Sequence, residues 1–222
     1  MNFKRPLILA SNSPRRQYLM REMGYHFSIQ KPDSDESFPS DMAAEDVPVF
    51  LARKKAESIH INNDEVVLTS DTVVILEGQI LNKPADRTEA IGMLSELSGK
   101  THTVITAFCL RDVNKVACFQ ESSYVTFHTL AQHDIILYVD QFEPYDKAGA
   151  YGAQDTLPKG INPCSTEELQ FLEALGKSEL AEKTFTNSAV GTGVIAIQKI
   201  EGSYFNVMGL PIHRVYQELE KF

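Results

Sequence analysis

Apolar and polar positions mark out alternating strands and helices from the first residues. Leu7 to Ala10 form a short apolar run that reads as a buried strand, and it leads directly into Ser11-Asn12-Ser13-Pro14-Arg15-Arg16. Ser13 suits a helix N-cap and Pro14 the first helical position. The predicted helix turns Tyr18, Leu19 and Met23 toward the core and stops at Gly24. Residues 31–42 are polar, with two Pro and four acidic residues, and predict a loop. A second helix starts near Asp46, with Phe50, Leu51 and Ile59 on its apolar stripe and Lys55 on the same face. From Val66 to Leu76 the chain is β-branched and apolar at both ends, with Thr69-Ser70-Asp71-Thr72 as a polar knot in the middle.

The second half keeps the rhythm. Asp86 and Glu89 have capping-box spacing for a helix ending near Gly99. Thr101–Leu110 and Glu121–His128 predict strands. Thr129 with Gln132 predicts another capped helix through about Tyr138. Glu143 to Gln154 is dense in turn residues. Ser165 and Glu168 cap a short helix that ends near Gly176. Gly193–Ile200 predicts a strand, and Pro211 starts a C-terminal helix. Alternating strands and helices point to an α/β architecture.

Composition narrows the class. The 222 residues suffice for one large domain or two small lobes. Hydrophobic residues at 43% and charged residues at 23% exclude collagen-like, disordered and coiled-coil chains. No apolar run approaches the ~20 residues of a membrane span, so no membrane is expected as a partner. The apolar stretch near the start is far shorter than the ~7–15 residues of a secretion signal. Cys109, Cys118 and Cys164 form no CxxC pair or disulfide ladder. Ordinary thiols in a reducing, cytoplasmic setting are therefore expected. A net charge of −9 argues against nucleic-acid binding but leaves room for a small anion held by a local basic cluster.

Several residues fit such a cluster. A helix start offers free N–H groups and partial positive charge. Ser11 and Ser13 add hydroxyls, and Arg15 and Arg16 add forked donors matched to phosphate. Cations oppose the dipole at that end of a helix, so their presence asks for another cause; the plain alternative is a surface cap followed by solvated arginines. Asp71 reads either as a metal ligand or proton acceptor inside the strand, or as an exposed turn residue after a strand ending at Ser70. A carboxylate inside the strand would need a partner. Lys55 either reaches phosphate or snorkels to water. Lys83 alone is a loop lysine, and Glu36 is either a hard-metal ligand or part of a solvated acidic loop. His102 and His128 lack zinc-site spacing, Gly191-Thr192-Gly193 lacks the rest of a phosphate-loop fingerprint, and no GxSxG elbow occurs. These residues together suggest a polyphosphate held with a divalent cation.

The blocks in order carry a more specific pattern. Leu9-Ala10-Ser11-Asn12-Ser13-Pro14-Arg15-Arg16, Leu51-Ala52 through Lys55-Ala56, Ser70-Asp71-Thr72-Val73-Val74 and Asn82-Lys83-Pro84 come first. Met93-Leu94 through Gly99 with His102, Glu143-Pro144 through Gly152 with Gln154, and Gly202-Ser203-Tyr204 through Pro211 follow. In this order and spacing the chain resembles the Maf-like nucleoside triphosphate pyrophosphatases. The resemblance implies a fold like that of the inosine triphosphate pyrophosphatases: an elongated mixed sheet with flanking helices, in two lobes around a central cleft. It implies hydrolysis of a nucleoside triphosphate to the monophosphate and pyrophosphate with magnesium or manganese, in a homodimer. Asp71 would be the proton acceptor, acting directly or through metal-bound water. Ser11, Ser13, Arg15, Arg16, Lys55 and Lys83 would hold substrate, and Glu36 would join Asp71 at the metal, with Asp35 an adjacent alternative. Arg15, Thr72 and Gln154 match the subfamily acting on dTTP and UTP, while the 7-methyl-GTP subfamily's Trp is absent. The chain departs from the family at an insertion of about 30 residues, roughly 155–189. Two other classes stay open beside the enzyme: a nucleotide-binding regulator of cell division without turnover, and a general phosphatase.

Overall fold

The structure, a computed structural model, describes residues 3–157, 160–186 and 196–222. In chain order its elements are β1 (Leu7–Leu9), α1 (Pro14–Glu22), β2 (Ser28–Ile29), α2 (Val47–Glu57), β3 (Val66–Leu76), β4 (Gln79–Leu81) and α3 (Arg87–Leu97). β5 (Thr101–Arg111), β6 (Val116–Phe127), α4 (Gln132–Phe142), a single 3-10 turn (Ala148–Ala150) and α5 (Ala153–Thr156) follow. The chain ends with α6 (Thr166–Ala174), α7 (Ser178–Thr186), β7 (Ile197–Glu201), α8 (Tyr204–Val207) and α9 (Ile212–Leu219). The described strands form one mixed sheet in the order β2-β1-β3-β5-β6-β7, with β4 on β3. β1 runs parallel to both neighbours, placing Leu7 opposite Val66 and Leu9 opposite Leu68. β4 and β7 run antiparallel to β3 and β6. The α/β class read from the periodicity is the class observed.

The chain divides into two compact units: Met1–Thr72, Ile105–Glu121 and Phe205–Phe222 form unit 1, and Val73–Val104 with Ser122–Tyr204 form unit 2. In unit 1, Ile8, Ala10, Ile59 and Val67 make one apolar cluster. Ala52, Ala56, Ala107 and Cys109 make another, where α2 meets β5 through small side chains, with Val49 and Cys118 packed against them. In unit 2, His102, Phe127 and Tyr151 meet edge to face, a favoured geometry for aromatic rings.

Most elements follow the local signals. Ser13 caps α1 and Pro14 opens it; Asp86 caps α3; Ser165 and Glu168 make a complete capping box on α6. One open alternative is decided: β3 runs unbroken through the polar knot, so Asp71 is a strand residue rather than a turn residue. Three expectations need correction. β6 starts at Val116 rather than Glu121. The reason is a tight turn: the Asp112 carboxylate accepts the N–H groups of Asn114 and Lys115 and is itself held by Arg5 at 2.9 Å. α4 is capped by Ala131 without a side-chain bond, not by Thr129. The backbone stays extended through Ala131 (φ −76°, ψ 147°), so the helix starts after it, and the Leu130 N–H donates to the Ser98 hydroxyl at 2.7 Å. Finally, Cys109 and Cys118 form a disulfide across β5 and β6, leaving Cys164 as the free thiol. Spacing rules look for CxxC pairs, whereas this hairpin brings residues nine apart face to face. Of the strand expected over 193–200, the part from Ile197 is observed. Residues 193–195, and the Gly191-Thr192-Gly193 motif, lie outside the described residues.

Candidate active site

The turn between β1 and α1 is built from its own hydroxyls. Ser11 is buried, and its Oγ accepts the Ser13 N–H at 3.2 Å. Ser13 in turn accepts the Arg16 N–H at 3.5 Å as the helix cap. Gln17 Nε2 donates to the Ser11 carbonyl at 3.1 Å, closing the loop from the helix side. Arg15 lies half-buried at this helix start.

Asp71 is 7% exposed, in the middle of β3. A carboxylate there requires compensation, and Lys55 from α2 supplies it: Nζ lies 2.5 Å from Asp71 Oδ1 and 3.1 Å from Glu36 Oε1. The lysine on the apolar stripe therefore reaches inward, and one ammonium gathers two carboxylates from segments 35 residues apart. Asp35 turns elsewhere. Its carboxylate takes Lys54 Nζ at 2.7 Å, and hydrogen bonds from Lys54 and Ser37 hold its pKa well below the usual carboxylate range. Glu36 and Asp71 are the two carboxylates that would hold a divalent cation here; magnesium commonly takes one or two carboxylates and completes its shell with phosphate and water. Among the described residues no group of three or more His, Cys, Asp or Glu side chains offers a fuller cage.

Arg16 ties the flanks of Asp71 together. Its Nη1 donates to the Ser70 carbonyl at 2.8 Å, its Nη2 to Thr72 Oγ1 at 3.0 Å, and its Nε to the Gly209 carbonyl at 2.8 Å. The residues on either side of the carboxylate are thus pinned by one guanidinium fork. Burial draws the Arg16 pKa down to about 10; Asp71 opposes that shift, Arg15 adds to it, and Glu36 opposes it more weakly. The Gly209 carbonyl also accepts the Ser70 hydroxyl at 3.1 Å. Gly209 has φ +101°, and a Cβ there would lie 3.3 Å from Thr72 Oγ1, so the close approach favours glycine twice over. This accounts for the arginine at a helix start: the carbonyls of Ser70 and Gly209 and the Thr72 hydroxyl, not the helix dipole, decide its position.

Sequence reasoning missed two residues behind this arrangement. Thr106 Oγ1 lies 2.9 Å from Thr72 Oγ1. Asn206 Oδ1 accepts the Thr106 N–H at 2.9 Å, and its carbonyl accepts the Thr106 hydroxyl at 2.7 Å. Thr106 and Asn206 are fully buried. The available signal was a polar residue framed by apolar ones, Phe205-Asn206-Val207.

Unit 1 therefore brings together Ser11, Ser13, Arg16, Glu36, Lys55, Asp71 and Thr72, with Arg15 beside Arg16. Lys83 and Gln154 belong to unit 2. There Lys83 is exposed in the loop after β4, and Gln154 sits half-buried in α5. Their loops meet where the Gly149 N–H donates to the Asn82 carbonyl at 3.3 Å. The Gln154 loop is anchored from beneath. Tyr138 Oη accepts the Gly152 N–H at 2.9 Å, and Tyr151 Oη pairs with His102 Nε2 at 2.8 Å. Burial lowers the His102 pKa to about 4 and raises that of Tyr151.

Comparison with known proteins identifies the family. The family described as "Maf-like protein" matches residues 6–165 and 185–222, leaving 166–184 unmatched. A dTTP/UTP pyrophosphatase of Bacteroides fragilis is 38% identical over 218 residues, covering 97% of this chain and 95% of that protein. One from Bacteroides thetaiotaomicron is 37% identical, covering 98% and 96%. One from Porphyromonas gingivalis is 38% identical, covering 99% and 95%. Among solved structures, a HAM1 protein from Coxiella burnetii has 14% identity over 82% of this chain and 97% of that one, with a TM-score of 0.41.

Proposed function

The chain belongs to the Maf-like protein family, and from that membership we propose that it hydrolyses dTTP and UTP to the nucleoside monophosphate and pyrophosphate. The observation that carries this reading is the carboxylate of Asp71, set inside a strand, paired with Lys55 and flanked on both sides by residues that Arg16 holds. Full-length likeness to proteins named dTTP/UTP pyrophosphatases supports the substrate class.

The chemistry needs few parts. Water supplies the new oxygen, the α–β phosphoanhydride bond breaks, and pyrophosphate leaves with the bonding electrons. Asp71 receives the proton that water gives up. Ser11, the α1 start and Arg15 offer donors to the phosphate chain, and Lys55 moves between the carboxylates and the phosphate oxygens. Arg16 acts by holding Ser70 and Thr72 and adds positive potential nearby. Lys83 completes the phosphate contacts and Gln154 reads the base. Glu36 and Asp71 would hold a divalent cation, magnesium or manganese, which when bound neutralises charge on the phosphates. We place the protein in the cytoplasm, beside the nucleotide pools, as a homodimer; gel filtration at twice the chain mass checks the latter. Among the described residues no helix is long and apolar enough to cross a membrane.

The test is pyrophosphate release from dTTP and UTP with magnesium, repeated with EDTA. Pyrophosphate that disappears on chelation is the expected result. Tight nucleotide binding without product favours the regulator of cell division, and orthophosphate as the first product favours a general phosphatase. Either would overturn the proposal.

A further inference from the structure

The family match stops at residue 165 and resumes at 185, and the unmatched stretch contains α6 and most of α7. An added helix pair on a surface needs no buried charge, yet Glu168 on α6 is 1% exposed. Its capping-box role accounts for the Ser165 N–H at 2.8 Å on Oε2. An exposed glutamate would serve that role equally well. Two further contacts reach a distant segment: Oε1 accepts the Ser203 hydroxyl at 2.5 Å, and Oε2 accepts the Tyr204 N–H at 3.1 Å. A buried carboxylate is retained where such donors satisfy it.

Those two donors open α8, the segment that grips the candidate site. Three residues after Ser203, Asn206 holds Thr106, which holds Thr72; three further on, the Gly209 carbonyl takes Arg16 and Ser70. The start of the segment is fixed a second time by Ser123, whose hydroxyl donates to the Ser203 carbonyl at 2.9 Å. Gly202 makes that approach feasible: at φ +109°, a Cβ would fall 2.8 Å from Ser123 Oγ. A single residue, the buried Phe205, separates Tyr204 from Asn206.

We propose that Glu168 is a positioning residue for the hydrolysis: by fixing Ser203 and Tyr204 it sets the register of Asn206 and Gly209, and through them the placement of Thr72 and Arg16 around Asp71. The helix pair outside the family match is then part of the active-site scaffold of this chain. The role in turnover rests on the pyrophosphatase reading above; the mechanical coupling does not.

Four variants and two readouts test it. Glu168→Ala removes the acceptor for Ser203 and Tyr204. It should lower kcat for dTTP roughly tenfold or more with little change in KM, since small misplacements of reacting groups cost that much. Glu168→Gln keeps an amide oxygen for the two N–H groups and should restore most of the loss. Ser203→Ala removes the hydroxyl bond to Glu168 and leaves the Tyr204 N–H bond in place; it should give a smaller kcat defect, which keeps the test valid if Glu168→Ala fails to fold. Glu167→Gln, exposed on the same helix, should match wild type. The second readout is amide exchange at Thr106, whose N–H donates to Asn206; Glu168→Ala should accelerate it. A folded Glu168→Ala with wild-type kcat, or with slow Thr106 exchange, overturns the inference. A wild-type protein that releases no pyrophosphate instead overturns the function, and Thr106 exchange then decides the coupling alone.

Discussion

At the scale of single residues, charge placed in a strand demands explanation, and the explanation is testable. Asp71→Asn keeps the shape of the side chain but cannot accept a proton. Turnover should fall at least ~100-fold, while dTTP still raises the melting temperature; wild-type turnover would remove Asp71 from the chemistry. Arg16→Lys should do nearly as much damage for a different reason. A single ammonium cannot span the carbonyls of Ser70 and Gly209 and the hydroxyl of Thr72, which lie around one guanidinium fork. Loss of both activity and thermal stability is expected, measured by kcat and Tm together. His102 supplies a pH prediction. Burial lowers its pKa to about 4 from 6.5, so the unfolded chain takes up the proton first. Its contribution is full above pH 6.5, is lost as pH falls from about 6.5 toward 4, and levels off below. Denaturant midpoints across that range should drop, and His102→Gln should flatten the drop. An equal slope in the variant would assign the effect to other groups.

At the scale of elements, the signals that carried furthest were those whose physics is local. Ser13-Pro14, Asp86 and Ser165 with Glu168 each satisfy a nearby helix end, and each appears where the sequence placed it. Thr129 does not cap α4: the backbone stays extended through Ala131, and Leu130 pairs with Ser98, a residue 32 positions away that no local window contains. The candidate site divides in the same way. Lys55 was legible as a cation on an apolar stripe, but its convergence on Asp71 and Glu36 depends on how α2 meets β3. Glu36 and Asp35 are adjacent in sequence but meet different cations, Lys55 and Lys54, which no local pattern shows. The β5–β6 hairpin shows the same limit, since pairing Cys109 with Cys118 requires knowing the register. That pairing predicts one titratable thiol in the unreduced, denatured chain and three after reduction. Closing so short a loop should contribute about 2–3 kcal/mol, read as the shift in denaturant midpoint on adding reductant. Three thiols without reductant would refute the bond.

At the scale of the whole molecule, connectivity matters more than any single contact. The division into two units falls inside β3, β5, β6 and α8 rather than in linkers, so the backbone passes between units within regular elements. A strand cannot lose half its ladder without weakening the rest, which argues for one cooperative unfolding unit. Asp71, Lys55 and Arg15 belong to one unit. Magnesium and a nucleotide at about 100 times the Kd should stabilise the fold by about 2.7 kcal/mol, and in a cooperative sheet that gain appears in a single step. Asp71→Asn, which spares the nucleotide from hydrolysis, is the variant to use. Far-UV and tyrosine near-UV signals should move together in urea, with and without dTTP. Two transitions, of which dTTP shifts one alone, would mean that the units unfold separately and that the nucleotide is held by only one of them.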